Sequence, residues 1–170
     1  MTIQDWGSMG EVIGAIATIA TLAYLAIQIR INTRIAKTSA LQSMLAGGRD
    51  HFLHSMYSDG ELCEVMTKGL NSMDLLDQTE KTRFACFMVE QVLQMQDIME
   101  SYYADLVTEV DYMAWLEWTC MLFRSPGGQV AWPEVSGVTT TTINGVINAH
   151  LEATSDGDSI LDVMPVFDRR

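Results

Sequence analysis

Basic residues are scarce in this sequence: ten Lys and Arg stand against 22 Asp and Glu, a formal charge of −12. A field of that sign repels phosphate backbones and excludes a nucleic-acid-binding body. Cysteine is also scarce. Cys63, Cys86 and Cys120, an odd number at wide spacing, form neither a disulfide framework nor a zinc knuckle, and unpaired thiols suit a reducing cytosol. Charged residues make up only 19% against 48% apolar, which excludes a disordered acidic chain. No alternating run is long enough for a strand; residues 138–142 (VTTTT) come closest through their β-branched side chains. No internal repeat and no Gly/Ser linker divides the 170 residues, the length of one ordinary domain.

What is present is a long apolar run. From Val12 to Ile29 the chain reads VIGAIATIATLAYLAIQI, with no charge and one amide, Gln28. At about 1.5 Å per residue it reaches roughly 27 Å, close to the ~30 Å hydrocarbon core of a bilayer. A chain this small has little protein with which to surround such a helix. Ser8 and Glu11 have capping-box spacing and predict its start, and Trp6 stands where an indole favours headgroups. No Lys or Arg precedes the run, so it does not read as a cleavable signal peptide. Arg30, Arg34, Lys37 and Arg49 follow it with no acid among them, a collar for anionic headgroups. Basic flanks stay on the cytoplasmic side, so the N-terminus is expected outside and the remainder inside. Residues 50–170 hold six of the bases and 20 of the acids, a net −14. Within the span Gly10, Gly14 and Thr18 fall four apart, a small-residue stripe that lets a second helix approach.

The rest reads as helices. Nothing breaks the pattern between Ile31 and Ala46, so the span is expected to continue as a stalk, with Gly47-Gly48 its first weak point. Ser58 with Glu61 predicts a short helix carrying Leu62, Val65, Met66 and Leu70. Asp77 or Thr79 opens the longest soluble helix, to about Leu106. Its stripe includes Phe84, Phe87, Met88, Val92, Met95, Ile98 and Met99. Thr108 with Asp111 marks another start, Ser125-Pro126 opens a short helical turn, and a last helix is expected over residues 138–152. The tail from Ala153 is polar and ends in an apolar patch, ILDVMPVF, which reads as a frayed end packed on the domain rather than as a docking peptide.

Catalytic and metal-binding patterns find little support. His51 and His54, three apart beside Asp50, can share a helix face and hold a divalent metal, but a third ligand is missing. Glu61, Cys63 and Glu64 are neighbours in order only, and two surface histidines are the simpler reading. No Glu-x-x-His occurs for a di-metal carboxylate site, and no Gly-x-Ser-x-Gly for a nucleophile. His150 has no identifiable Ser or Cys partner, and Gly127-Gly128 lacks the Lys-Ser/Thr of a phosphate loop. Asp97, Glu100, Glu90 and Gln91 sit among apolar residues, where facing water is commoner than acid–base work. No cofactor is implied. Trp115, Trp118 and Trp132 can anchor an interface if exposed, or pack in the core.

The segments TLAYLAIQIRINTR, SDGELCEVMTKGL, DQTEKTRF and FRSPGGQVAWPE resemble a family of uncharacterised bacterial single-pass membrane-anchored proteins, over about residues 8–152. Its most specific motifs run Tyr24 to Arg34 (YLAxQIRxNTR) and Ser125 to Trp132 (SPGGxxxW). The resemblance implies a bilayer helix followed by cytoplasmic helices, and no activity. Members usually carry a basic or aromatic residue after the paired glycines, where this chain has Gln129-Val130, and tend to lack His51 and His54.

The expected architecture is all-α. Residues 1–8 form an N-terminal extension, 9–30 a transmembrane helix, 31–57 a stalk, 58–152 a cytoplasmic helical bundle and 153–170 a flexible polar tail. The expected function is non-enzymatic: a bacterial inner-membrane protein acting through a membrane protein partner or self-association, as an accessory subunit or a homo-oligomer. One rival is a sensory module with an apolar pocket in the bundle. Another is a metal-assisted enzyme.

Overall fold

The computed structural model describes residues 3–49 and 60–168. Its seven α-helices and two short 3-10 turns carry no strand among the described residues, so the fold is all-α. The chain divides into two compact units, residues 1–39 and 40–170.

The first unit is one helix. α1 spans Ile3–Arg49, 47 residues, and continues past the unit boundary. Its stretch Gly10–Ser43 is long and apolar enough to cross a membrane, and none of its most apolar window is buried. At about 1.5 Å per residue those 34 residues reach roughly 50 Å, well over the ~30 Å that a hydrocarbon core requires. Polar side chains are accommodated locally. Thr18 Oγ1 donates to the Gly14 carbonyl at 2.9 Å and Thr21 Oγ1 to that of Ala17 at 2.8 Å, which leaves neither hydroxyl unmatched in an apolar setting. The start expected at Ser8 is corrected: the helix is already formed at Ile3, and residues 3–8 belong to it. Between Ile3 and Ser8 only Gly7 weakens the helical ladder, and no proline interrupts it. Gly47 likewise lies inside the helix. Ser58 and its cap, with His51 and His54, fall outside the described residues.

The second unit is a bundle around one long helix. α2 (Gly60–Asn71) leads through a 3-10 turn, Met73–Leu75, to α3 (Gln78–Tyr103). α4 (Glu109–Arg124), α5 (Pro126–Val138), α6 (Thr141–Ala153) and the short α7 (Ile160–Val163) follow. α3 packs against α2, α4, α5 and α6. It starts where the acid pair Asp77/Glu80 satisfies two orphan amides: Asp77 Oδ1 accepts from Glu80 N at 2.8 Å, and Glu80 Oε2 from Asp77 N at 2.9 Å. Lys68 Nζ reaches Glu80 Oε1 at 2.8 Å and ties α2 to that cap. The Phe84–Met99 stripe is buried as its spacing predicts, with Gln91 as a polar member, and Phe123, Ile143 and Ile147 close on it from other helices. Met88, Met95 and Met99 are therefore packing residues.

α3 stops at Tyr103, three residues before the expected end. Leu106 N donates to Ser101 O at 2.9 Å and Asp105 N to Tyr102 O at 3.0 Å, the paired bonds of a Schellman motif. Asp105 takes the left-handed conformation this requires, with φ 57°. Thr108 Oγ1 then accepts from Asp111 N to open α4.

The SPGG motif acquires a steric reason. Ser125, fully buried, donates to Leu122 O at 2.6 Å and accepts from Gly128 N at 3.1 Å, capping α5 while Pro126 takes its first position. A Cβ on Gly127 would lie 1.6 Å from the Gly69 carbonyl oxygen of α2, and one on Gly69 would lie 2.4 Å from the Phe84 ring. Three helices thus meet at a point with no room for a methyl group. α5 is 13 residues long rather than a short turn, with Pro133 inside it.

The expected helix over residues 138–152 is corrected at its start. Val138 closes α5 and is exposed, Thr139 and Thr140 are extended, and α6 begins at Thr141. β-branched threonines give up helical dihedrals readily, and here Thr139 Oγ1 donates to Asn144 Oδ1 at 2.6 Å while Asn144 Nδ2 bonds Ser136 O at 2.7 Å. The flexible tail is also corrected: through Asp168 it is docked on the bundle, with the 160–167 patch packed on the domain as its apolar residues suggest. Ile160 and Phe167 are buried in the core, and Asn71 Nδ2 donates to Phe167 O at 2.6 Å. Burying two large apolar side chains offsets the entropy of ordering the segment.

Candidate functional site

The bundle carries an elongated hollow on its surface. An open trough of about 1080 Å³ runs along α3, with α5 as its second wall and Met73 and Asp74 at one end. Ser43 and Gly47, which belong to the same unit as the bundle, also line it. On α3 the lining residues recur three and four apart from Gln78 to Asp97, one helix face about 28 Å long. Its floor is apolar: Ala85, Val89 and Leu93 from α3, with Val130, Val135 and Val138 from α5. Leu93, Val130 and Val138 are 47%, 62% and 71% exposed, a large apolar surface for one side of a small bundle. Its charged members among the described residues are Asp74, Glu90, Asp97 and Glu134, with Lys81 the one base. Cys86 lines the trough as an exposed free thiol. A helix-length, apolar, acid-edged trough has the form that receives another helix.

The most convergent polar group lies elsewhere. Arg124 Nη1 is 2.6 Å from Glu117 Oε1 and Arg124 Nη2 is 3.2 Å from Oε2, a bidentate pair along α4. His150 Nε2 of α6 lies 2.7 Å from Glu117 Oε2. Arg124 also donates to Thr154 Oγ1 and, at 3.1 Å, to the Asp158 carbonyl. Gly157 passes so close to the guanidinium that a Cβ there would sit 2.9 Å from Arg124 Cζ. Hydrogen bonding from Arg124 holds the Glu117 carboxyl down to about 2, against an ordinary 4.5. Apart from the buried Arg124 Nε, which has no hydrogen-bond partner among the described residues, the groups are spent on one another, and together they fasten the chain after α6 onto α4. Sequence reading missed this cluster. Glu117 and Arg124 stand seven apart on one helix, a usable signal, but nothing in order along the chain points to His150 or Thr154.

Other expected site residues are dispersed. Gly10, Gly14 and Thr18 lie along α1 with open space around both glycines. Arg30, Arg34 and Lys37 are exposed on the same helix. Trp115, Trp118 and Trp132 are half-buried against the core, and Trp132 stacks edge-on to Phe123 at 4.6 Å while its Nε1 donates to Asn148 Oδ1. Asp97, Glu90 and Glu100 are exposed. Cys120 is buried, and burial pushes its thiol up to about 12. Among the described residues no group of three His, Cys, Asp or Glu is placed to hold a metal ion.

No protein-family model, no curated protein and no solved structure matches this chain.

Proposed function

We propose that this chain is a membrane-tethered, non-enzymatic helical protein of the bacterial inner membrane that acts through protein–protein contacts. It serves as an accessory subunit of a membrane assembly or as a homo-oligomer, and its kin are the single-pass proteins that share the YLAxQIRxNTR and SPGGxxxW motifs. The observation that carries this is α1: an apolar, exposed helix of spanning length joined to a separately packed bundle. A hydrophobic surface of that length in water would cost far more than the bundle's own stability. The collar of Arg30, Arg34 and Lys37, with no acid in residues 30–49, supports a cytoplasmic bundle. The trough on α3 and α5 supports action by contact. Alkaline carbonate washing of membrane vesicles should leave the chain in the pellet, and a reporter placed after Arg170 should read cytoplasmic. Release into the supernatant would overturn the tether, and a periplasmic reporter would overturn the orientation.

A second reading, a module for a small apolar ligand, draws on the size of the same trough. A retained small molecule in native mass spectrometry of the purified chain would favour it.

A further inference from the structure

We propose that the trough between α3 and α5 receives a second copy of this chain, through the basic stretch of that copy's α1 that follows the apolar span. The inference rests on the protein-contact reading above and names the partner. Four observations lead to it. The trough is a helix-long apolar face, about 28 Å from Gln78 to Asp97, and residues 30–49 of α1 form a helix of the same length. Among the described residues the trough's lining holds four acids and one base, whereas residues 30–49 hold four bases and no acid. On α1, at 100° per residue, Arg30, Arg34, Lys37 and Leu41 fall within about 60° of arc, with Ile31 about 60° and Ile35 about 100° beyond its edge. That face is cationic, with the half-buried Leu41 as its apolar member, and Ile31, 46% exposed, flanks it on one side. Ser43 and Gly47, which line the trough within one copy, fall on the opposite half of the helix from that arc.

Charge also decides against the main alternative. Two bundles meeting face to face would bring together segments of net −14 each, so a bundle is a poor occupant for another bundle's trough. The stalk is the basic segment of the chain. Anchoring two copies in one membrane raises their effective concentration and lets a modest contact hold, and reciprocal exchange about a two-fold axis fills both troughs.

The test uses two co-expressed full-length copies with different tags. One keeps Cys86 in the trough and Cys120 in the core, with Cys63→Ser. The other carries Cys63→Ser and Cys86→Ser with one new thiol on α1, either on the basic face (Thr38→Cys or Leu41→Cys) or on the far face (Asn32→Cys or Ser39→Cys). A short bismaleimide should join the two tags about tenfold more for the basic-face thiols than for the far-face ones. Leu93→Arg in the first copy, an exposed position that tolerates charge, should abolish the product while near-ultraviolet circular dichroism stays native. Equal joining from both faces, or no joined product from copies that resist carbonate washing, overturns the docking and leaves the tether standing. Capture of a different polypeptide on Cys86 without the joined pair overturns it as well. A joined pair with the expected facing in chains that carbonate releases would support the docking and overturn the tether.

Discussion

Adding a single methyl group at Gly127 should separate α2 from α5. The new Cβ would lie 1.6 Å from the Gly69 carbonyl oxygen and 2.7 Å from the Gly69 carbonyl carbon. Ordinary contact needs well over 3 Å, so the helices must part by more than an ångström, and both obstructing atoms are backbone with no rotamer to yield. On the other side of the same point, Gly69 is wedged against the Phe84 ring, so α2 cannot retreat toward α3. Overpacking of a close-packed core costs typically about 1–3 kcal/mol, and a backbone obstruction belongs at or above the top of that range. Gly127→Ala should therefore lose about 3 kcal/mol, on the order of 10 °C in the unfolding midpoint of a domain this size. Gly145→Ala is the matched control: it sits mid-α6 with nothing within 4 Å, and the same methyl should gain about 0.5–1 kcal/mol from helix propensity. Thermal unfolding of the full chain in detergent, followed by near-ultraviolet circular dichroism, reads both. A Gly127→Ala chain as stable as the parent would refute the three-helix contact and the steric reading of the SPGG motif.

Further consequences follow from the other local devices. Glu117 is ordinarily deprotonated above 4.5 and in the folded chain down to about 2, so its contribution is present above the first value and lost as pH falls toward the second. Its side chain is 39% exposed, and solvent screening reduces the contribution to about 1 kcal/mol. Glu117→Gln should flatten the stability profile between about pH 5 and 2, measured by denaturant titration; an unchanged acid limb would disprove the assignment. At neutral pH the same change leaves the buried Arg124 guanidinium short of its counter-charge and should cost about 2 kcal/mol. Asp105→Gly removes the penalty of a side chain in the left-handed region and should raise stability by about 0.5–1 kcal/mol, about 2–4 °C, with a fall in the midpoint counting against the Schellman geometry.

How much of this was legible in the sequence depends on whether a feature is local. The α3 stripe from Phe84 to Met99, the acid cap at Asp77 and the Thr108 cap are set by residues within one or two turns of each other, and each is found where its spacing puts it. The apolar span of α1 is local in the same sense. Boundaries failed where two local signals compete. At 138–140 the 3.6-residue pattern runs on, but the threonines and the Asn144 amide offer the backbone other partners and win. Contacts between distant segments were not legible at all. The SPGG motif reads only as the start of a short helical turn until Gly69, 58 positions before Gly127, is seen to press against it. Glu117, Arg124, His150 and Thr154 acquire meaning only once α6 lies beside α4. The polar tail looked unable to order itself because its two apolar anchors, Ile160 and Phe167, are too few to form a core alone. They succeed by completing one that already exists. The trough follows the same logic: Val89, Leu93, Val130 and Val138 are ordinary members of two helices in the sequence, and packing α5 beside α3 makes them one continuous surface.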